Sequence, residues 1–368
     1  VLRVHVLDVG HGDAIVLEYR HETGVDFALI DTHRCGDETP KAVRKLQSLG
    51  ATTLDFIAIT HPHADHFSGI AAVLDAHPVR TLLTFPVARH RQRIERLAQH
   101  IADRSRQSDS VRLLRQQVDL MRWLQALSTH SDVQEHCGPN ATFFPKGFVG
   151  VSFTVIAPPA RHKGRHFQQI DEGRIEWQDD AQNEISLALL VEYAGVRLVL
   201  GGDTTAASLE EIARQRERRA MNVAANVVKL PHHGSRHDCA PQALTSLFGV
   251  GAAARTTAPI AIISANGRSH PAPEVLSWLQ TQGIAPYCTG LSKACGSGKR
   301  CQLAAAPELD PALEFFVTTS MTDESRLGTS QCQGDITVQI DPNGRINVQR
   351  QYNALCAFRG DYERLGLA

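Results

Sequence analysis

No run of this sequence is apolar for long enough to cross a bilayer; the longest candidate, residues 185–202, is interrupted by Glu192 and Arg197. Nor does the start resemble a secretory leader, since residues 1–17 alternate like a strand and carry Asp8 and Asp13. The chain opens on Val1 and not on Met, so a few residues are expected to be missing or trimmed. Neither sign of charge is in excess, since 38 Lys and Arg stand against 39 Asp and Glu. That balance excludes a surface wrapped all over in polyanion and leaves room only for a local basic patch. Tight CxxC pairs are lacking too. Cys288, Cys295, Cys301 and Cys332 follow one another at seven, six and thirty-one residues, which does not match a zinc ribbon. Ordinary reduced thiols are therefore expected over a structural metal, in a cytoplasmic chain. Tryptophan and tyrosine are scarce, at 3 and 5, whereas histidine reaches 18 in 368 residues. With 42% apolar and 21% charged residues, a sizeable core can form.

Alternation and apolar runs predict strands over 2–7, 14–19, 27–30, 56–60 and 81–85, with helices over 41–50 and 68–77 between them. Further strands are expected over 151–156, 185–193, 196–200, 227–230 and 260–264, with helices over 209–219 and 274–282. Residues 335–340 and 345–348 flank Asp341-Pro342-Asn343-Gly344 as a hairpin. Strands and helices interleaved in this order describe a layered α/β sandwich. With no repeat and no clear linker, 1–368 reads as one domain with insertions at about 88–150, 159–182 and 294–331. From 88 to 122 there are nine Arg and four acids on a helical pattern. Such a segment is either a solvated helical hairpin or a basic lid, and Arg89, Arg91 and Arg93 are its candidates for contacting an anionic substrate. The stretch 158–182 reads as irregular, with His162 and His166 bordering the same cleft.

The strongest feature is Thr60-His61-Pro62-His63-Ala64-Asp65-His66, directly after an apolar strand. His61 and His63, two apart in an extended segment, point the same way and can share a metal, while Asp65 and His66 can serve a second. Three His and one Asp in six residues are hard to explain as core filling, because each polar group would need its own partner. The same logic finds Asp203 after two glycines, His232 and His233 in a turn with Ser235, and His270 before Pro271. Each is a ligand-type residue at the end of a buried strand.

These motifs resemble the metallo-β-lactamase superfamily: Asp31 in LIDTH, the run from His61 to His66, and Asp203 in LGGD. Four further segments are similar to one branch: DVGHGDA at 8–14, NEISLALLVEY at 183–193, KLPHHGS at 229–235 and QGDITVQIDPNG at 333–344. That branch is the metallo-hydrolase domain of the competence DNA-uptake protein ComEC and its stand-alone relatives. The resemblance implies a four-layer αββα sandwich with a dinuclear metal site at the edge between its sheets. Many superfamily members take a further ligand His from the segment where this chain has Asn183. On the resemblance, one metal is assigned to His61, His63, Asp203 and one of His232 or His233, and the other to Asp65, His66, Asp203 and His270. The neighbour in the His232–His233 pair would face substrate as a proton carrier. Lacking spans, the chain is not expected to be a pore.

Two divalent cations in such a site would activate a water between them and clamp the attacking and leaving oxygens. Imidazole and carboxylate ligation suits Zn²⁺ and admits Mn²⁺ or Fe²⁺. Asp65, Asp31 and His233 are the expected catalytic side chains, with Asn183 and Ser235 joining the arginines on the substrate side. Asp31 is expected to orient a ligand, and Asp13 either does the same or simply forms its turn. The leading expectation is a phosphodiesterase acting on DNA or RNA. The alternatives are a hydrolase of small substrates (a cyclic nucleotide, a phosphocholine-type ester or a lactone) and a metal-bound regulatory module acting through a partner protein.

Overall fold

The computed structural model describes residues 1–35, 39–85, 111–135, 141–172, 180–219, 224–250, 258–265, 269–292, 301–303, 332–352 and 354–356, with a few isolated positions besides. Arg89, Arg91 and Arg93 lie outside the described residues, as does nearly all of 294–331. In chain order the strands are β1 (Leu2–Val6), β2 (Ala14–His21), β3 (Gly24–Thr32), β4 (Leu54–Ile59), β5 (Val79–Thr84), β6 (Val133–Glu135), β7 (Ala141–Phe143), β8 (Ser152–Ala157), β9 (Ala188–Tyr193), β10 (Val196–Leu200), β11 (Val227–Lys229), β12 (Ile260–Ile263), β13 (Ala285–Cys288), β14 (Cys301–Leu303), β15 (Ile336–Ile340), β16 (Ile346–Arg350) and β17 (Ala354–Cys356). The helices are α1 (Lys41–Ser48), α2 (Ala64–Phe67), α3 (Ile70–Ala76), α4 (Val111–Thr129), α5 (Ala160–Asp171), α6 (Ala206–Arg219), α7 (Pro241–Phe248) and α8 (Pro273–Thr281).

Two mixed sheets carry the fold. The first has the order β16-β15-β1-β2-β3-β4-β5-β6 and the second β13-β12-β11-β10-β9-β8-β7, while β14 and β17 pair apart. In the first sheet β3 to β6 run parallel, and in the second β10 to β13 do. The central parallel strands are buried on both faces: β4, LDFIAI, and β11, VVK, are buried at every position. One apolar cluster fills the space between the sheets and continues under the helices of the first. Phe56 from β4 meets Phe153 from β8 with ring centroids 5.3 Å apart, and Phe143 and Phe148 close the same group. Ala42, Val43 and Leu46 of α1 and Trp123 of α4 cover the first sheet's outer side. A second cluster joins Val199, Val228 and Ile263 to Leu209, Leu244 and Leu276 of α6, α7 and α8. The layers are thus α/β/β/α, the sandwich expected. β4, β10, β11 and β12 all lead into ligand-type residues at their C-terminal ends, and these ends meet along one edge of the sandwich.

The stretch 158–182 departs from the expectation of irregular chain, for it holds α5 and a 3₁₀ turn over Asp180–Ile185. The inner face of α5 is made of His162, His166 and Phe167, so a hydropathy pattern underreads it. Within 88–150, α4 is followed by two short strands: β6 extends the first sheet and β7 the second.

Candidate metal centre

Asp31, with φ of 55°, closes the run of β3 that faces the site. Its carboxylate is 1% exposed and organises the loop after β4. The Thr60 N–H donates to Oδ1 at 2.9 Å, the Thr60 hydroxyl to Oδ2 at 2.8 Å, and His66 Nδ1 lies 2.7 Å from Oδ2. With Nδ1 so engaged, His66 Nε2 faces inward, 3.3 Å from Asp203 Oδ2 and 3.7 Å from Asp65 Oδ2. This is the carboxylate–histidine arrangement that fixes a metal ligand's tautomer. His61 Nε2 lies 3.0 Å from His63 Nδ1 and 3.8 Å from Asp203 Oδ2, so the two histidines do converge.

Asp203 follows a turn that only glycine admits. Gly202 has φ of 51°, and a Cβ there would meet Leu187 O and Ser186 Oγ at 2.6 Å. The Ser186 hydroxyl accepts the Asp203 N–H at 2.9 Å. The PHHG turn is left-handed at two consecutive histidines, with φ of 45° at His232 and 54° at His233. Such backbone is costly for side-chain-bearing residues and persists only where the surroundings hold it. Here the His232 N–H donates to Gly202 O at 3.0 Å, tying the turn to the Asp203 loop. The result sends the adjacent imidazoles to different places. His233 Nε2 lies 3.7 Å from Asp203 Oδ1 and 3.8 Å from Asp65 Oδ2. His232 is held at Nδ1 by Asp238, at 2.6 Å, and its Nε2 reaches only to 3.9 Å from Asp203 Oδ2.

Asp65, His66, Asp203 and His233 each offer a donor atom within 4.8 Å of the others'. In the expected ligand division His233 was open to the first metal and His270 stood with Asp65 and His66. The geometry instead groups His233 with that pair, and His270 lies beside His232, with ring centroids 5.6 Å apart and the planes tilted by 46°. Of the expected substrate-side residues, Ser235 is buried in the turn, where its hydroxyl accepts the His237 N–H, and Asn183 is buried before β9. His162 and His166 bond to Ser208 and Gln182 in the α5 layer. Lys229, His11 and Asp238 went unassigned by sequence reading, although Lys229 and Asp13 form a buried ion pair and His11 Nε2 stands 3.5 Å from Asp65. Lys229 and His11 are identified only by partners far along the chain, and Asp238 by its bond to His232.

Electrostatics agree with a cationic occupant. Burial opposes the charged forms of Asp65 and Asp203, yet the facing histidines, His66 foremost, hold both carboxyls well below the ordinary range. Burial likewise disfavours the His66 cation, but Asp203, Asp31 and Asp65 raise it well above the usual imidazole value. His61 is pushed well down by burial and then by His66 and His63. His66 Nε2, Asp203 Oδ1 and His233 Nε2 are buried without a hydrogen bond among the described residues. Each such atom costs about 1–3 kcal/mol if nothing satisfies it. Imidazole nitrogen and carboxylate oxygen converging in this way fit a divalent cation such as Zn²⁺.

Residues 7–89, which hold Asp31 and the whole HxHxDH run, match the family profile described as Metallo-beta-lactamase superfamily. That stretch carries the superfamily's profile, and the two-sheet sandwich around it has the superfamily's architecture. Among solved structures, it is similar to a putative metal-dependent hydrolase from Parabacteroides distasonis, at 12% identity over 78% of this chain and 93% of that one, with a TM-score of 0.39. A diphosphatase from the PhnP family is 13% identical over 79% of this chain and 87% of its own, with a TM-score of 0.34. A variant of the β-hydroxylase CmlA is 14% identical over 62% of this chain, with a TM-score of 0.34, and the match spans only 35% of CmlA. No curated protein matches the chain. Likenesses this distant assign no reaction to this chain. Among the described residues no helix is long and apolar enough to cross a membrane.

Proposed function

We propose that the protein is a metal-dependent hydrolase of phosphodiesters, acting on DNA or RNA. The observation that carries the hydrolase reading is the buried, mutually facing set Asp65, His66, Asp203 and His233, with His61 and His63 beside it. When bound there, two divalent cations supply Lewis acidity toward a phosphoryl oxygen and toward the attacking water. Asp65, His66, Asp203 and His233 would hold one, with His61, His63 and Asp203 at the other. Asp31 keeps the proton of His66 on Nδ1, so that Nε2 presents its lone pair. His232, steadied by Asp238, is left to carry a proton at Nε2 to the leaving oxygen as the P–O bond breaks. The phosphodiester reading is supported by the DVGHGDA, LGGD and KLPHHGS segments and their resemblance to the ComEC hydrolase domain, together with the Arg-rich segment 88–122.

The test is direct. Purified protein with Zn²⁺ or Mn²⁺ is expected to cleave single- or double-stranded polynucleotide, and His63→Ala to abolish cleavage while remaining folded. Failure to cut polynucleotide or a chromogenic phosphodiester with either metal, in protein shown to carry metal, refutes the substrate class.

A further inference from the structure

Lys229 closes β11, and its side chain is 0% exposed. Strand alternation explains its direction: Val227 belongs to the cluster between the sheets and Val228 to the outer one, so Lys229 again faces the opposite sheet. Its Nζ pairs with Asp13 Oδ2, on the residue before β2 and 216 positions away in the chain. Burying two charges in this way often brings no gain in stability over apolar residues of similar volume. Stability alone therefore does not account for the pair. The other carboxylate oxygen does. Asp13 Oδ1 makes no hydrogen bond among the described residues and lies 3.9 Å from His233 Nδ1, which is also without one. The far side of that ring, Nε2, is the atom that faces Asp65 and Asp203. The Asp13 loop is stitched down from both sides: its N–H donates to Asp65 O at 3.1 Å, and the His33 N–H donates to Asp13 O at 2.9 Å.

We propose that Asp13 and Lys229 are positioning residues for His233. Lysine fixes the carboxylate by one oxygen, and the other oxygen selects the imidazole tautomer that carries its proton on Nδ1, which leaves Nε2 free to bind a cation. The device parallels Asp31 and His66, except that Asp31 is anchored by the N–H and hydroxyl of Thr60 where Asp13 is anchored by an ammonium group. This inference rests on reading His233 as a metal ligand and not on the identity of the substrate.

The experiment is a cycle on the full chain, Asp13→Asn, His233→Ala and both together, read by Zn²⁺ affinity in chelator competition and by the visible spectrum of the Co²⁺-loaded protein. In Asp13→Asn the amide oxygen stays with Lys229 and its NH₂ faces His233 Nδ1, forcing the other tautomer. Affinity is expected to fall about 10–100-fold with a changed Co²⁺ spectrum, and the same change added to His233→Ala is expected to cost nothing more. Additive losses, or wild-type affinity and spectrum in Asp13→Asn, overturn the proposal. Should the single variants fold poorly, the apolar pair Asp13→Ala/Lys229→Met answers the question. Recovery of thermal stability with affinity still lowered supports positioning, and recovery of both overturns it. Wild-type protein that takes up neither Zn²⁺ nor Co²⁺ sinks the metal centre itself, and the proposal with it. A metal-loaded wild type without phosphodiesterase turnover sinks only the substrate reading.

Discussion

Replacing Asp31 by Asn keeps the shape of the side chain and changes one donor–acceptor relation. The Thr60 N–H, 2.9 Å from Oδ1, requires an acceptor there, so the amide oxygen takes that place and the NH₂ falls where Oδ2 stood. That NH₂ then faces the Thr60 hydroxyl and His66 Nδ1, which lay 2.8 and 2.7 Å from Oδ2. The hydroxyl can turn and accept. The imidazole can accept only by moving its proton to Nε2, the nitrogen 3.3 Å from Asp203 Oδ2 that would otherwise bind the cation. Because the number of hydrogen bonds is conserved, the folded state should lose no more than about 1 kcal/mol. Metal affinity should fall about 10–100-fold, or about 1.4–2.8 kcal/mol. Zn²⁺ competition against a chelator, paired with thermal melting of the metal-free protein, separates the two quantities. Unchanged Zn²⁺ affinity in a folded Asp31→Asn protein would refute the reasoning, as would a loss of affinity that merely tracks a loss of fold.

Other outcomes follow from particular contacts. In Gly12→Ala the new Cβ would sit 2.3 Å from Asp65 O and 2.6 Å from the His33 ring, at a φ of +141°. Metal affinity measured by the same competition should drop at least about tenfold as the Asp65 loop shifts. Phe153→Ala empties the centre of the inter-sheet aromatic group, where Phe153 is 0% exposed, and should cost about 3–5 kcal/mol in urea unfolding. A loss under about 1 kcal/mol would contradict that packing. Glu18, buried at 0% exposure, is pushed up by burial, but His5, Arg20 and Arg3 outweigh this and hold its carboxyl at about 2. Its folded value lies below the unfolded one, so its contribution is complete above the ordinary 4.5 and drains away as pH falls toward 2. Wild type should therefore lead Glu18→Gln by about 2 kcal/mol at pH 7 and by much less near pH 3. A lead that does not shrink on acidification would show that Glu18 is not the titrating group. Saturating chelator should lower the melting temperature of wild type and leave that of Asp203→Asn unmoved, since only the former has metal to lose.

What could be read from the sequence was what repeats locally. β10 was legible to the residue because Val196 to Leu200 alternates between turn signals, and the HxHxDH run announced itself by density alone. The helix α5 was not legible, since imidazoles on its inner face carry no hydropathy signal and their partners Ser208 and Gln182 lie 46 and 16 residues away. The roles of His232 and His233 were undecidable for a related reason. Two adjacent identical residues diverge only because left-handed backbone turns one toward Asp238 and the other toward Asp65. Lys229 looked like one more polar residue at a strand end, and nothing short of the docked sheets reveals that its ammonium meets Asp13. Local pattern reports strands and donor types. It is silent on which donors meet.

The donors come from both sheets: Asp65 and His66 follow β4 of one, and Asp203 and His233 follow β10 and β11 of the other. A cation held by all four is a rivet through two plates. During synthesis β1 to β6 leave the ribosome with only half of the donors, so tight capture would wait until the chain beyond His233 has emerged and closed against them. Metal uptake would thereby mark the moment at which the donor-bearing strands of the two sheets have docked. A chain whose two sheets are misdocked would lack the full donor set, and the strand ends around Asp203 and His233 would then be held by the polypeptide alone.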